Sequence, residues 1–225
     1  MIEIIKSYNN KIANIFPYDL SEQNAQKIDL SSNNNELKKV DLKNIAHLSE
    51  YIAMTLKRNN KIIGIGGYME DREIYKKSSH FGTDENVRSI HLGIDLWSKE
   101  NTPVYAPLDA QIHSFKINDN FGDYGPTIIL EHNIEGFKLF TLYGHLSTNS
   151  LINKELGQVI KKGENFANLG NSIENGSWPP HLHFQIITDM QNNWGDFPGV
   201  CSKKQINYYE QICPNPNILL NSSVL

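Results

Sequence analysis

The sequence predicts a mainly β fold, an antiparallel β-sheet sandwich or open barrel with an N-terminal helical segment, and three observations carry that prediction. From Lys61 onward the chain breaks into short β-rich runs separated by Gly, Pro and Asn. The first 60 or so residues contain no glycine, and one stretch of them has a helical period. The length of 225 residues, at roughly 150 per domain, fits one core plus accessory segments.

Taken in order, Ile2, Ile5, Ile12, Ile15 and Phe16 are expected to form one or two short helical faces, and Ser31-Ser32-Asn33-Asn34-Asn35 a polar loop. Leu42, Ile45, Leu48, Ile52 and Leu56 then recur every three or four residues, which predicts an amphipathic helix over Leu42 to Lys57, capped by Asp41 and packed on the main domain. Strands are expected at Ile62 to Ile65, Val104 to Ala106, Ala110 to Ile117, Thr127 to Glu131, Lys138 to Tyr143 and His183 to Ile187. Val159 to Gly170 reads as two brief strands around a tight turn at Lys162-Gly163. The tail from Gln191, with three prolines and little periodicity, is expected to wrap the core as loop. The organisation is thus an accessory segment over 1–60, a catalytic-type domain over 61–190 and a wrapping tail over 191–225.

Several function classes are excluded early. Lys+Arg of 21 against Asp+Glu of 25 gives a net charge of −4, with no basic run along which a phosphate backbone could lie, so no nucleic-acid partner is expected. The longest apolar stretches, such as Ile128-Ile129-Leu130, are strand-sized, and no membrane span is expected. Glu3 and Lys6 interrupt the place where an export signal would be apolar, which favours a cytoplasmic location unless another route exports the chain. Cys201 and Cys213 are separated by eleven residues without a CxxC spacing, so they form neither a cysteine-built zinc site nor a disulfide framework, and a single bridge stays open. Oligomeric state is not legible.

The chemistry is expected among the eight histidines. His91-Leu92-Gly93-Ile94-Asp95 places an imidazole and a carboxylate four apart, an even separation that returns both to one face of an extended chain. His181-Leu182-His183-Phe184 offers two imidazoles on one side of a strand and two core contacts on the other. Tyr143-Gly144-His145-Leu146 ends a strand where glycine allows close backbone approach. A His-x-His pair alone is expected by chance about 0.3 times in such a chain, so no single pair decides anything. Three nitrogen or oxygen donors with a fourth position open to water is the arrangement of catalytic zinc, whereas closed structural sites recruit cysteine.

These three motifs, with the lead-in Thr102-Pro103-Val104-Tyr105-Ala106-Pro107-Leu108-Asp109-Ala110 and the Gly157 to Gly163 hairpin, resemble the lysostaphin/LytM family of zinc metallopeptidases, with its duplicated-hybrid-motif-like sheet. The resemblance implies one Zn2+ ion held by His91, Asp95 and His183, with His145 and His181 as catalytic imidazoles, and a peptide or peptidoglycan-fragment substrate. A narrower resemblance covers Gly66 to Arg72, Phe121 to His132, Glu174 to Gln185, Gly195 to Val200 and Cys213 to Asn217. These stretches look like the peptidase-type module found between a small-molecule kinase domain and a pyridoxal-phosphate aminotransferase domain in some multidomain proteins. Pro179-Pro180 before the His-x-His and Gln185 after it depart from typical wall hydrolases, and put the substrate in question.

The resulting expectation is a zinc-dependent metalloendopeptidase acting on peptidoglycan stem or cross-bridge peptides. Two alternatives stand beside it: a non-catalytic metal-binding or regulatory module, and a hydrolase of a small cytoplasmic amide. Among the other candidates, His113 and His132 read as structural histidines, and His47 and His80 as surface residues. Tyr68, Tyr124 and Trp178 read as packing or groove wall, and Arg72 and Glu174 as solvated rim charges.

Overall fold

The computed structural model describes residues 5, 7, 11–76, 81–82, 87–120 and 122–225. Its twelve described strands are β1 (Ala25–Lys27), β2 (Ile63–Gly66), β3 (Arg88–His91), β4 (Ile94–Trp97), β5 (Pro103–Tyr105), β6 (Ala110–Asn118), β7 (Gly125–Ile134), β8 (Phe137–Gly144), β9 (Val159–Ile160), β10 (Asn165–Asn168), β11 (His181–Ile187) and β12 (Val200–Ser202). Eight form one sheet in the order β1-β2-β4-β11-β8-β7-β6-β9, and β10-β5 and β12-β3 form two small ones. Every pair in the large sheet is antiparallel except β1 with β2, so the fold is mainly β and open, with one parallel pair at its edge. That edge strand comes from the N-terminal segment.

The sheet is covered on both faces, which explains the unbroken Ile128-Ile129-Leu130 run. Ile128 and Leu130 join a core with Leu182, Phe184, Ile186, Phe16 and Leu219, while Ile129 faces a second cluster with Leu142, Ile187, Phe197 and Cys213. Continuous apolar sequence is what a strand buried on both faces requires. The turn of the β7–β8 hairpin is Glu135-Gly136, both at positive φ, as a two-residue primed turn demands.

Several expectations are corrected. Helix α1 spans Ile45–Arg58, and its N-cap is Asn44, whose side chain accepts from the Ala46 amide. Asp41 accepts instead from the Lys43 amide, one turn too early to cap. The helix does pack as its period requires: Leu48 and Ile52 join Ile28, Leu30 and Trp97 in a third cluster. Ile12, Ile15 and Phe16 form no helix, because Pro17 disfavours helical backbone at Phe16; Ala13 and Ile15 bond to Pro107 and Tyr105 instead. Ile2 and His80 lie outside the described residues.

β9 and β10 do not pair with each other. β9 adds to β6 and β10 to β5, so the Lys162-Gly163 turn passes the chain between two sheets. The tail is not loop throughout: β12 pairs with β3, and helices follow at Ile206–Ile212 and Asn217–Leu220. A Ser202/Gln205 capping box opens the 3-10 turn Lys203–Gln205 that leads into the first of these, and Pro216 is the N-cap of the second. Cys201 and Cys213 are buried free thiols, and burial pushes them up to about 11 and about 12. No described helix is long and apolar enough to cross a membrane.

Candidate metal centre

Four strands or strand ends deliver the five sequence-selected residues. β11 lies between β4 and β8, with His183 opposite Asp95 on one side and Gly144 on the other. Period 2 sends Leu182 and Phe184 into the core and His181 and His183 to the opposite face. His145 follows β8 directly at φ 62°, a left-handed backbone uncommon for a side chain of this size, which turns its imidazole toward β11. His91 and Asp95 converge by a different route from the one expected. They lie on separate strands in different sheets, joined by the bend Leu92-Gly93. Gly93 makes that bend possible, since a Cβ there would sit 2.7 Å from His183 Cε1.

His91 Nε2, Asp95 Oδ1 and His183 Nδ1 form a triangle with edges of 2.9 Å between the two imidazoles, 3.2 Å from His91 to Asp95, and 3.1 Å from His183 to Asp95. A tetrahedron with metal–ligand bonds of about 2.0–2.1 Å has edges of about 3.3 Å. All three residues are buried.

Hydrogen bonds fix which nitrogens carry protons. His91 Nδ1 is 3.1 Å from the Gly67 carbonyl, which can only accept, so Nδ1 donates and Nε2 keeps its lone pair. Gln185 donates its Nε2 to the Pro198 carbonyl, which turns Oε1 to accept from His183 Nε2 at 2.9 Å and leaves His183 Nδ1 the acceptor. Two imidazole lone pairs and a carboxylate oxygen therefore face one another within hydrogen-bond distance, an arrangement that a shared cation relieves. The donor set fits zinc.

His145 and His181 are held in the same manner. Their Nδ1 atoms donate to the carbonyls of Asn175 at 2.8 Å and Pro179 at 2.7 Å, so both Nε2 lone pairs are free. Their ring centroids are 4.1 Å apart. Burial, then the neighbouring His181, holds His145 well below its ordinary pKa, and burial lowers His181 too. His91 is pulled down to about 4 by burial and then by Arg72. Burial opposes charge on Asp95, yet His91 and the permanent Arg72 cation hold its carboxyl well below the usual range. Beside the triangle opens a cavity of about 320 Å³, walled by Tyr75, Phe81, Trp97, Trp178, Tyr124 and Phe197.

Other candidates fall as follows. Arg72 is no rim charge: it is 2% exposed, with Nη1 2.5 Å from Asp95 Oδ2 and Nε 2.9 Å from Glu70 Oε2. Its place in the Gly66 to Arg72 motif was the available signal. Glu174 is half-buried and accepts from the Thr148 and Asn171 amides. Tyr124 and Trp178 do line the cavity, whereas Tyr68 packs on the main core and donates to the Cys213 carbonyl. His132 is buried between the Asp109 carbonyl and Thr141, and His113 contacts Ser114. Tyr75 and the Gly67 and Asn175 carbonyls were not legible beforehand.

The fold and the site define a mainly β domain with a centre for one metal ion. Residues 89–194 match the model of peptidase family M23. Among solved structures, a zinc-containing peptidase from Vibrio cholerae is 28% identical over 44% of this chain and 27% of its own, with a TM-score of 0.36. The catalytic domain of the antimicrobial peptidase lysostaphin from Staphylococcus simulans is 24% identical over 54% of this chain and 80% of that domain, with a TM-score of 0.38. The catalytic domain of the prophage-encoded M23 protein EnpA from Enterococcus faecalis, as a point mutant, is 21% identical over 53% and 81%, with a TM-score of 0.37. This chain thus spans about a quarter of the Vibrio protein it matches. No curated protein matches the sequence.

Proposed function

We propose that the protein is a zinc metallopeptidase that hydrolyses a peptide amide bond, with His91, Asp95 and His183 as ligands and His145 and His181 as the catalytic imidazoles. The observation that carries this reading is the triangle of three inward-facing donors beside two further imidazoles with free Nε2 atoms. A bound zinc ion supplies a water of lowered pKa and a Lewis acid for the scissile carbonyl. The chain's own residues do the rest. His145 and His181 orient the attacking water, take its proton, and pass a proton to the leaving nitrogen as the new C–O bond forms and the C–N bond breaks. Once one of the two has taken the proton, its Nε2–H also stabilises the oxyanion. Carbonyl acceptors at Asn175 and Pro179 keep both rings in the tautomer that these tasks need.

The substrate proposed is a peptidoglycan stem or cross-bridge peptide, the bond class that the family resemblance implies. A second reading, a small amide, is favoured by the aromatic wall that Tyr75 and Phe81 add from outside the segment matched to the family. Purified protein incubated with muropeptides, glycine-rich peptides and small amides, with and without chelator, tests both. Chelator-sensitive product from one class assigns the substrate; no product from any class overturns the peptidase reading in favour of a binding module.

A further inference from the structure

Arg72 lies outside the segment that matches the peptidase family, yet it touches the centre of the site. Asp95 is the only one of the three proposed ligands with two equivalent donor atoms. A carboxylate can give a metal one oxygen or both, and giving both would fill the position that a substrate or water needs. In this protein the second oxygen is taken: Oδ2 accepts from Arg72 Nη1, while Oδ1 completes the triangle.

The guanidinium is held through Nε and Nη1, while Nη2 is buried without a hydrogen-bond partner. Its Nε donates to Glu70 Oε2, and Glu70 Oε1 in turn accepts from the Leu30 amide at 3.1 Å. Nη1 also reaches the Tyr75 hydroxyl at 3.3 Å. The cation lies 5.9 Å from the Tyr75 ring centroid and 5.8 Å from that of Trp97, within reach of both aromatic faces. At the backbone, the Arg72 amide bonds to the Ser89 carbonyl and the residue bridges Ser31. A planar fork held this firmly dictates where the carboxylate on its far side can point.

We propose that Arg72 is the positioning residue of the metal centre: it holds Asp95 Oδ2 so that Asp95 offers the ion one oxygen only, and Glu70 and Tyr75 set the guanidinium for that task. The stretch between β2 and β3, outside the segment matched to the family, therefore supplies the outer support of the site. This rests on the assignment of His91, Asp95 and His183 as ligands, and the experiment separates the two.

Cobalt replaces zinc in the purified protein, and its visible spectrum and dissociation constant are read in the wild type, in Arg72→Lys, and in Glu70→Gln/Arg72→Met. The double variant removes the Glu70 carboxylate together with the cation, so it leaves one buried carboxylate without a partner where Arg72→Met alone would leave two. Wild-type protein is expected to give the strong bands of four-coordinate cobalt. The double variant is expected to give the weaker bands of higher coordination and to bind metal about 10- to 100-fold less tightly. Lysine, which keeps the charge but not the fork, should fall between the two. Wild-type bands and affinity in both folded variants would overturn the role of Arg72 while leaving the ligand set standing. Failure of the wild type to bind cobalt at this site would overturn both.

Discussion

Two kinds of histidine stand side by side in this site, and a single-residue change can tell them apart. His183 points its Nδ1 at the triangle, whereas His181, two residues earlier on the same strand, has its Nε2 3.8 Å from Asp95 Oδ2 and outside it. His183→Ala is expected to lose bound metal, and His181→Ala to keep it while losing about 10²- to 10⁴-fold in turnover. Elemental analysis of the two purified variants checks this, and equal metal content would sink the division of roles. His132 offers a residue-scale prediction away from the centre. Burial lowers its pKa from 6.5 to about 4, so the folded protein holds it neutral while the unfolded chain protonates it near 6.5. Its contribution to stability is complete above about pH 6.5 and declines as pH falls toward about 4, with a slope of up to about 1.4 kcal/mol per unit. Urea unfolding between pH 4 and 7 should show that slope, and it should be flatter in His132→Gln.

Helix α1 shows how closely an element's start depends on one side chain. Because Asn44 rather than Asp41 accepts from the first turn, Asn44→Ala is expected to cost about 1 kcal/mol and Asp41→Ala only a few tenths, read by chemical denaturation. The period of Leu48 and Ile52 made that helix legible, since burial of one face follows from spacing alone. Alternation likewise revealed β11 and the side of it that carries His181 and His183. Legibility ended where partners are distant in sequence. Nothing local tells Val159 and Asn165 that they add to different sheets, or tells Val200 that it will pair with His91. Arg72 was misread for the same reason: a lone arginine in a loop is usually solvated, and the two carboxylates that bury it come from its own loop and from β4. Gln185, noted as a departure, proves to be the acceptor that fixes the His183 tautomer.

At the scale of the whole molecule, the centre joins segments that otherwise share little. His91 lies in a two-stranded sheet with β12 from the tail, Asp95 and His183 lie in the large sheet, and Arg72 comes from the N-terminal side. An ion bound only by the folded arrangement stabilises it by mass action, by about 2.7 kcal/mol at a hundred times the dissociation constant. Zinc is therefore expected to raise the melting temperature of the wild type and chelation to lower it, while His183→Ala should respond to neither. A scan in which wild type and variant shift equally would place the binding elsewhere. The spacing of the ligands also sets an order of events. His91 and His183 are 92 residues apart, and the intervening chain holds β4 to β10. Closing so long a loop late makes metal capture a final step rather than a nucleus. Refolding of the denatured chain should accordingly proceed at one rate with or without zinc, the ion slowing only the reverse reaction; an accelerated folding limb in stopped-flow traces would show the opposite sequence.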